Sequence, residues 1–414
     1  MSKSEYGSID KLVRDDGGRA TPDYSVETLA VKAGIESDSQ YGAITPPLYL
    51  SSNYSFADFD QPREFDYSRS GNPTRQILGK AIADLEAGEG GVVTSSGMSA
   101  IFLVLQLLKV GERIIVPHDC YGGSFRLFDS YHKKGVLQVD FVDQTDPVAL
   151  AEALEKNPRL VWIETPSNPL LRIVDIEQVA LLAQEAGALV VVDNTFLSPV
   201  LQQPLKLGAD IVVHSTTKYI NGHSDVVGGA VVAKTAELHE ELSWWANCTG
   251  ITGAPFDSLL TLRGLRTLDV RIKRHCKNAT KVANFLQDHP QVSSVYFPGL
   301  ADHPGHAIAR RQQTGFGAMI SFELAGGVAQ VKRFLSALSI FSLAESLGGV
   351  ESLICHPSTM THAAVALEDQ KTAGIGQNLL RLSVGIEHIE DILFDLTTAF
   401  DACRIHAVKE AANA

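Results

Sequence analysis

Two short runs constrain what this chain of 414 residues can fold into more than any other feature. They are Leu189-Val190-Val191-Val192-Asp193-Asn194 and Ile211-Val212-Val213-His214. In each, the apolar stretch is unbroken, β-branched and too short for a helix. That is the pattern of a strand covered on both faces in a parallel sheet. Each run then turns polar. The first ends in the carboxylate of Asp193. The second leads into Ser215-Thr216-Thr217-Lys218-Tyr219, with Gly222 close behind. Ligands of open parallel sheets bind beyond the carboxyl ends of the strands, so both polar ends belong to one edge.

A lysine at that edge costs free energy while charged and gives up its proton easily. The neutral amine is a nucleophile toward an aldehyde. Hydroxyls and backbone N–H groups beside it suit a phosphate. An aldehyde and a phosphate on one ligand describe pyridoxal 5′-phosphate (PLP). Asp193, one strand over, would keep the pyridine nitrogen protonated and the ring an electron sink. Lys218 alone leaves a second reading open, because most lysines after a strand are solvated surface residues. The pairing with Asp193 makes the pattern specific.

Other stretches fall at the same edge. Residues 25–70 show no regular pattern, and then Asn72 caps a helix with Pro73 at its first position and Gly88 at its end. Gly90 to Ser95 form a strand that enters Ser96-Gly97-Met98. This small-residue turn is either a phosphate seat at a helix start or an ordinary connection. Tyr121, in the loop Pro117-His118-Asp119-Cys120-Tyr121-Gly122-Gly123, could lie on a ring or be a plain loop aromatic. Two prolines fix Thr165-Pro166-Ser167-Asn168-Pro169, which could aim Asn168 into the cleft. Apolar strands alternating with helices as far as residue 232 predict a mostly parallel sheet covered on both faces.

After about residue 265 the pattern changes. A helix over 278–288, strands at 292–297, 320–324 and 380–384, and a closing helix over 389–400 predict an α+β domain with a largely antiparallel sheet. Ile320, Phe322 and Leu324 alternate as in a half-buried strand. Arg381, set among apolar neighbours, needs an anion. Either a substrate carboxylate or a buried acidic side chain would serve.

Composition narrows the partners. The formal net charge is −13 and no basic stripe occurs, which argues against nucleic acid and anionic membrane. No apolar run reaches the length of a membrane span. The polar start, residues 1–24, reads as a flexible arm of a cytoplasmic protein. Cys120, Cys248, Cys276, Cys355 and Cys403 are scattered, so reduced thiols are expected rather than a disulfide frame or zinc site. His214 and His223 lack metal-like spacing, and no metal is expected.

Several motifs together resemble the Cys/Met-metabolism PLP enzymes over residues 26–402. They are Asp66-Tyr67-Ser68-Arg69 with Gly71-Asn72-Pro73-Thr74, Ser96-Gly97-Met98, Tyr121-Gly122-Gly123, Val192-Asp193-Asn194-Thr195, His214-Ser215 with Thr217-Lys218-Tyr219, and Ala344-Glu345-Ser346-Leu347-Gly348-Gly349. Trp244-Trp245-Ala246-Asn247 and Phe256-Asp257-Ser258 are similar to a bacterial branch that carries out γ-replacement.

The resemblance implies a fold type I PLP transferase, an α/β protein with a mostly parallel seven-stranded-type sheet and a smaller C-terminal α+β domain. Three parts are expected: an arm and inter-subunit segment over 1–70, a PLP-binding domain over 71–265 and a closing domain over 266–414. It implies that Lys218 holds the coenzyme covalently and shuttles protons, and that Asp193 pairs with the ring nitrogen. Tyr121 stacks on the ring, with a role as base open to it. Gly97, Met98, Ser215 and Thr217 bind the phosphate. Tyr67 and Arg69 reach that phosphate from a neighbouring subunit, so the assembly is at least a dimer and in this family usually a tetramer. Asn168 and Arg381 bind the amino acid with Ser346 nearby, and Arg126, Asp66 and Glu345 line the distal end. The expected substrates are small amino acids, an O-acylhomoserine (succinyl first, since Arg126 could meet a free carboxylate) and cysteine. Elimination from cystathionine and sulfhydrylation stay open, because Glu345 and Cys355-His356-Pro357 do not separate them.

Overall fold

The protein is described from a computed structural model that covers residues 12–14, 20–22, 24–361, 363, 370 and 373–412, with side chains over 24–403 within those limits. Seven strands form the larger sheet: β1 (Gly90–Thr94), β2 (Arg113–Pro117), β3 (Gln138–Val142), β4 (Leu160–Glu164), β5 (Leu189–Asp193), β6 (Ile211–His214) and β7 (Gly229–Ala233). Their spatial order is β1-β7-β6-β5-β4-β2-β3. β7 runs antiparallel to both neighbours, and the other pairs are parallel. The exception has a local cause. The connection from β6 to β7 holds the Lys218 turn and no crossover helix, which a parallel return usually requires.

The apolar strands bury alternate residues in two separate layers, as a sheet covered on both faces must. Val161, Ile163, Val190, Val192 and Val212 pack with Leu78, Ile82 and Val179 on one side. Leu160, Trp162, Val191, Ile211 and Val213 pack with Ile101, Val104 and Phe128 on the other.

The smaller sheet contains β8 (Val292–Tyr296), β9 (Met319–Leu324), β10 (Ser342–Leu343), β11 (Leu353–Cys355) and β12 (Leu379–Ser383), ordered β8-β9-β12-β11-β10. Only the short β10–β11 pair is parallel.

Four expectations need correction. Val26–Lys32 is a helix inside the stretch that shows no pattern in the sequence. Asn72 does cap the helix Pro73–Glu86, but Ala87 rather than Gly88 takes the left-handed position at its end (φ 59°). β9 is not half-exposed: Ser321, on its polar side, is fully buried because its hydroxyl donates to Pro169 O at 2.6 Å. The helix expected over 278–288 begins ten residues earlier, at Leu268. Its first turns bury Arg271, His275 and Asn278, and these polar side chains interrupt the apolar stripe that marks a helix in a sequence.

Candidate active site

Lys218 lies just beyond β6, and its Nζ donates to Ser346 Oγ at 2.9 Å. Burial and the nearby Arg381 pull its amine down to about 8, against the opposing charges of Glu345 and Asp193. Ser346 is held at φ 83°, a backbone conformation that side chains rarely adopt. That places its hydroxyl on Lys218 and its carbonyl on Arg381 Nη2, at 3.1 Å.

Arg381 sits on β12, 3% exposed, and gives Nη1–H to Asn168 Oδ1 at 2.6 Å. Its Nε has no partner. Among the described residues no carboxylate forms an ion pair with it. Of the two partners the sequence left open, the internal acidic side chain is absent. Both acceptors, the Asn168 amide oxygen and the Ser346 backbone carbonyl, are neutral, so the guanidinium remains able to take an anionic ligand.

Asp193 closes β5 and accepts Thr195 N–H at 3.0 Å. Burial raises its carboxyl, partly offset by Thr195, His214 and Lys218. Directly opposite in register, at the end of β4, stands Glu164. Glu164 is pushed well above the usual carboxylate range by burial and then by Asp193. Its Oε2 accepts Tyr121 N–H at 2.9 Å. Sequence reasoning missed Glu164, although it closes an apolar strand in the same way as Asp193.

The helix Gly97–Leu105 is capped by Ser96, whose hydroxyl accepts Ser99 N–H at 3.0 Å. The N–H groups of Gly97 and Met98 have no partner within the helix. Ser215 is packed against this end: a Cβ at Gly97 would lie 2.8 Å from Ser215 Cβ. Tyr121, 42% exposed, lies over Gly123, where an added Cβ would meet the ring at 2.5 Å and Met98 Sδ at 2.8 Å. A free aromatic face therefore borders a helix N-terminus. Thr217 differs from its neighbours. Its hydroxyl donates to Gly228 O at 3.1 Å and accepts Gly228 N–H at 3.0 Å.

The remaining expected residues lie further out. Asp66 accepts from Tyr67 N and Ser70 Oγ. Arg69 donates to Asn247 O and Oδ1, both at 2.7 Å, and lies 5.6 Å from the centroid of the half-exposed Tyr67 ring. These bonds lead away from the Lys218 group. Arg126 is exposed on the helix Gly122–Lys133, and Glu345 is exposed beside Ser346. His214, by contrast, is sealed behind the sheet, with Nε2 2.6 Å from Glu86 Oε1. No cluster of three metal-ligating side chains exists among the described residues, and no described helix is long and apolar enough to cross a membrane.

The set fits pyridoxal phosphate: a half-buried amine of lowered basicity, a carboxylate one strand away, a free aromatic face, unpaired N–H groups at a helix start, and Arg381 with Nε unpaired. Comparison with known proteins points the same way. Residues 27–401 match the family of Cys/Met metabolism PLP-dependent enzymes. The chain is 56% identical to cystathionine gamma-synthase of Escherichia coli K12, over 91% of this chain and 97% of the relative. It is 46% identical to cystathionine beta-lyase of Coxiella burnetii, over 90% of this chain and 97% of the relative. A crystal structure of cystathionine gamma synthase from Xanthomonas oryzae pv. oryzae, in complex with aminoacrylate and cysteine, superposes with a TM-score of 0.92 at 60% identity, covering 93% of this chain and all of the other.

Proposed function

Because this chain belongs to the Cys/Met-metabolism PLP-dependent enzymes, we propose that it acts as a cystathionine γ-synthase, joining an O-acylhomoserine to L-cysteine. The observation that carries an amino-acid substrate is Arg381. It is a buried guanidinium with only neutral partners, 3.1 Å from the carbonyl of the residue that Lys218 touches. Identity supports synthesis over cleavage: the relatives at 56% and 60% are named as γ-synthases, against 46% and 48% for relatives named as β-lyases.

PLP, when bound, supplies an electron sink that makes the protons on Cα and then Cβ removable. Lys218, low in basicity, would hold the coenzyme through its amine and would act as the base that takes the Cα proton. Ser346 Oγ steadies Nζ. Asp193 would pair with the ring nitrogen and Tyr121 would stack on the ring. Gly97, Met98, Ser215 and Thr217 would hold the phosphate. Arg381 and Asn168 take the substrate carboxylate. Tyr67 and Arg69 would serve the phosphate of a neighbouring subunit, and Arg126, Asp66 and Glu345 would line the distal end. In the overall reaction the Cγ–O bond breaks, the acyl group leaves as a carboxylate, and the cysteine sulfur bonds to Cγ.

The same proposal includes a homotetramer, methionine biosynthesis by transsulfuration, and the division at residues 70 and 265. It includes a cytoplasmic setting, which five free thiols suit. A substrate panel with product analysis tests the reading. O-succinylhomoserine plus cysteine is expected to yield cystathionine faster than cystathionine is cleaved. Faster release of pyruvate and homocysteine would establish β-elimination, the second reading, which the Coxiella relative favours. Release of 2-oxobutanoate and cysteine would establish γ-elimination, and faster turnover with sulfide in place of cysteine, giving homocysteine, a sulfhydrylase.

A further inference from the structure

Arg271 is 5% exposed and carries a cation with no anion to meet it. It lies one turn into the helix Leu268–Gln287. Nη1 donates to Tyr219 O at 2.8 Å, and Nη2 donates to Ile220 O at 3.3 Å and Gly264 O at 2.8 Å. Nε donates to Thr267 Oγ1 at 3.2 Å. Every acceptor is a carbonyl or a hydroxyl, and no described carboxylate forms an ion pair with the group. Burial lowers the guanidinium to about 10. An uncompensated buried charge of this kind is costly and calls for a reason.

Two of the three carbonyls it holds supply that reason, because they belong to the two residues directly after Lys218. The Lys218 turn closes on itself only in part. Lys218 N donates to Ser215 O at 3.2 Å, Asn221 N to Thr216 O at 2.9 Å, and Gly222 N to Lys218 O at 2.8 Å. Arg271 takes the carbonyls of Tyr219 and Ile220. Its planar fork suits two neighbouring acceptors in a way an ammonium does not. Gly222, at φ 71°, makes room, since a Cβ there would lie 2.1 Å from Arg271 Nη1. From the opposite side Val350 N donates to Gly222 O at 3.0 Å. The turn that carries the amine is thus held from two directions, both by residues beyond 265.

We propose that Arg271 is a positioning residue for Lys218, fixing the backbone turn from which the reactive amine projects. This rests on Lys218 being the residue that binds the coenzyme. A loosened turn lets water reach Nζ and favours its protonated form. A displaced amine also slows chemistry more than it weakens substrate binding.

The test compares the PLP-loaded wild type with Arg271→Lys and Arg271→Met. The readouts are coenzyme absorbance against pH, kcat and KM, and melting temperature. Arg271→Met is expected to move the absorbance midpoint upward by about half a unit or more. Its kcat is expected to fall about tenfold or more, with KM within about threefold of wild type. Arg271→Lys is expected to recover only part of both, since it keeps the charge and loses the fork. A Met variant with the wild-type midpoint and kcat, altered only in melting temperature, overturns the proposal. If Arg271→Met does not fold, Gly222→Ala, which displaces the guanidinium, and Arg271→Lys are read in the same way. An unmoved midpoint in both overturns it. Borohydride trapping with peptide mapping separates the two layers. Label away from Lys218 ends the underlying assignment, whereas label on Lys218 with an unmoved midpoint ends only the role of Arg271.

Discussion

The carboxyl ends of β4 to β6 and the central strands of the smaller sheet both bury ionisable groups, and they deal with them in opposite ways. At the first, burial changes basicity: the Lys218 amine falls to about 8, while the Asp193 and Glu164 carboxyls rise. In the second, the guanidinium of Arg381 leans on the neutral oxygens of Asn168 and Ser346. Groups that can neutralise suit proton movement, and a group that cannot suits gripping a carboxylate. The cleft combines one property from each sheet.

Substitutions at the two groups test this contrast most strongly. Lys218→Ala is expected to lower turnover about a thousandfold or more, measured by product formation; native turnover would remove the amine from the chemistry. Arg381→Ala is expected to lower kcat/KM about a hundredfold, mainly through KM, with little recovery in Arg381→Lys. An unchanged KM would mean that the carboxylate binds elsewhere.

Smaller effects sharpen the electrostatic half of the comparison in coenzyme-free protein. The Lys218 amine titrates near 10.5 when unfolded and near 8 when folded, so between those values the unfolded chain holds more protons and stability rises with pH. Lys218→Met is expected to melt above the wild type below pH 8, with the gap fading toward pH 10.5. Glu164 has the opposite sign. Its folded carboxyl lies well above the ordinary 4.5, so stability is lost as pH rises past that value. Glu164→Gln is expected to melt above the wild type at neutral pH, with the gap closing as pH falls to 4.5. A pH-independent gap in either variant would point to packing instead. The smallest effect is a control. Asp146 caps the exposed start of the helix Pro147–Leu154, and Asp146→Ala is expected to cost about 1 kcal/mol and leave activity unchanged.

How much of this was legible in the chain depends on where polar residues are buried. β4 to β6 stood out because nothing polar interrupts Leu160 to Ile163, Leu189 to Val192 or Ile211 to Val213. Their ends put Asp193 one strand over from the run that leads to Lys218, and β5 does pair with β6. The smaller sheet and the helix Leu268–Gln287 were read incompletely, because Ser321, Arg271 and His275 look like surface residues until their distant partners are known. No local pattern reports that Tyr219 O will meet Arg271, 52 positions on. Glu164 is a different case. It closes an apolar strand as Asp193 does, and only the pairing of β4 with β5 sets the two carboxylates side by side.

The Ser321 hydroxyl has a consequence for how the chain is made. It lies in the middle of the later sheet but is satisfied by Pro169 O, a group on a loop of the earlier one. A C-terminal fragment produced alone would have to leave that hydroxyl dry and unbonded, or let water into its own interior. Translation supplies the earlier piece first, so Ser321 emerges after the carbonyl that accepts its hydroxyl. Circular permutants that reverse this order would reveal how much the enzyme relies on being born from the correct end.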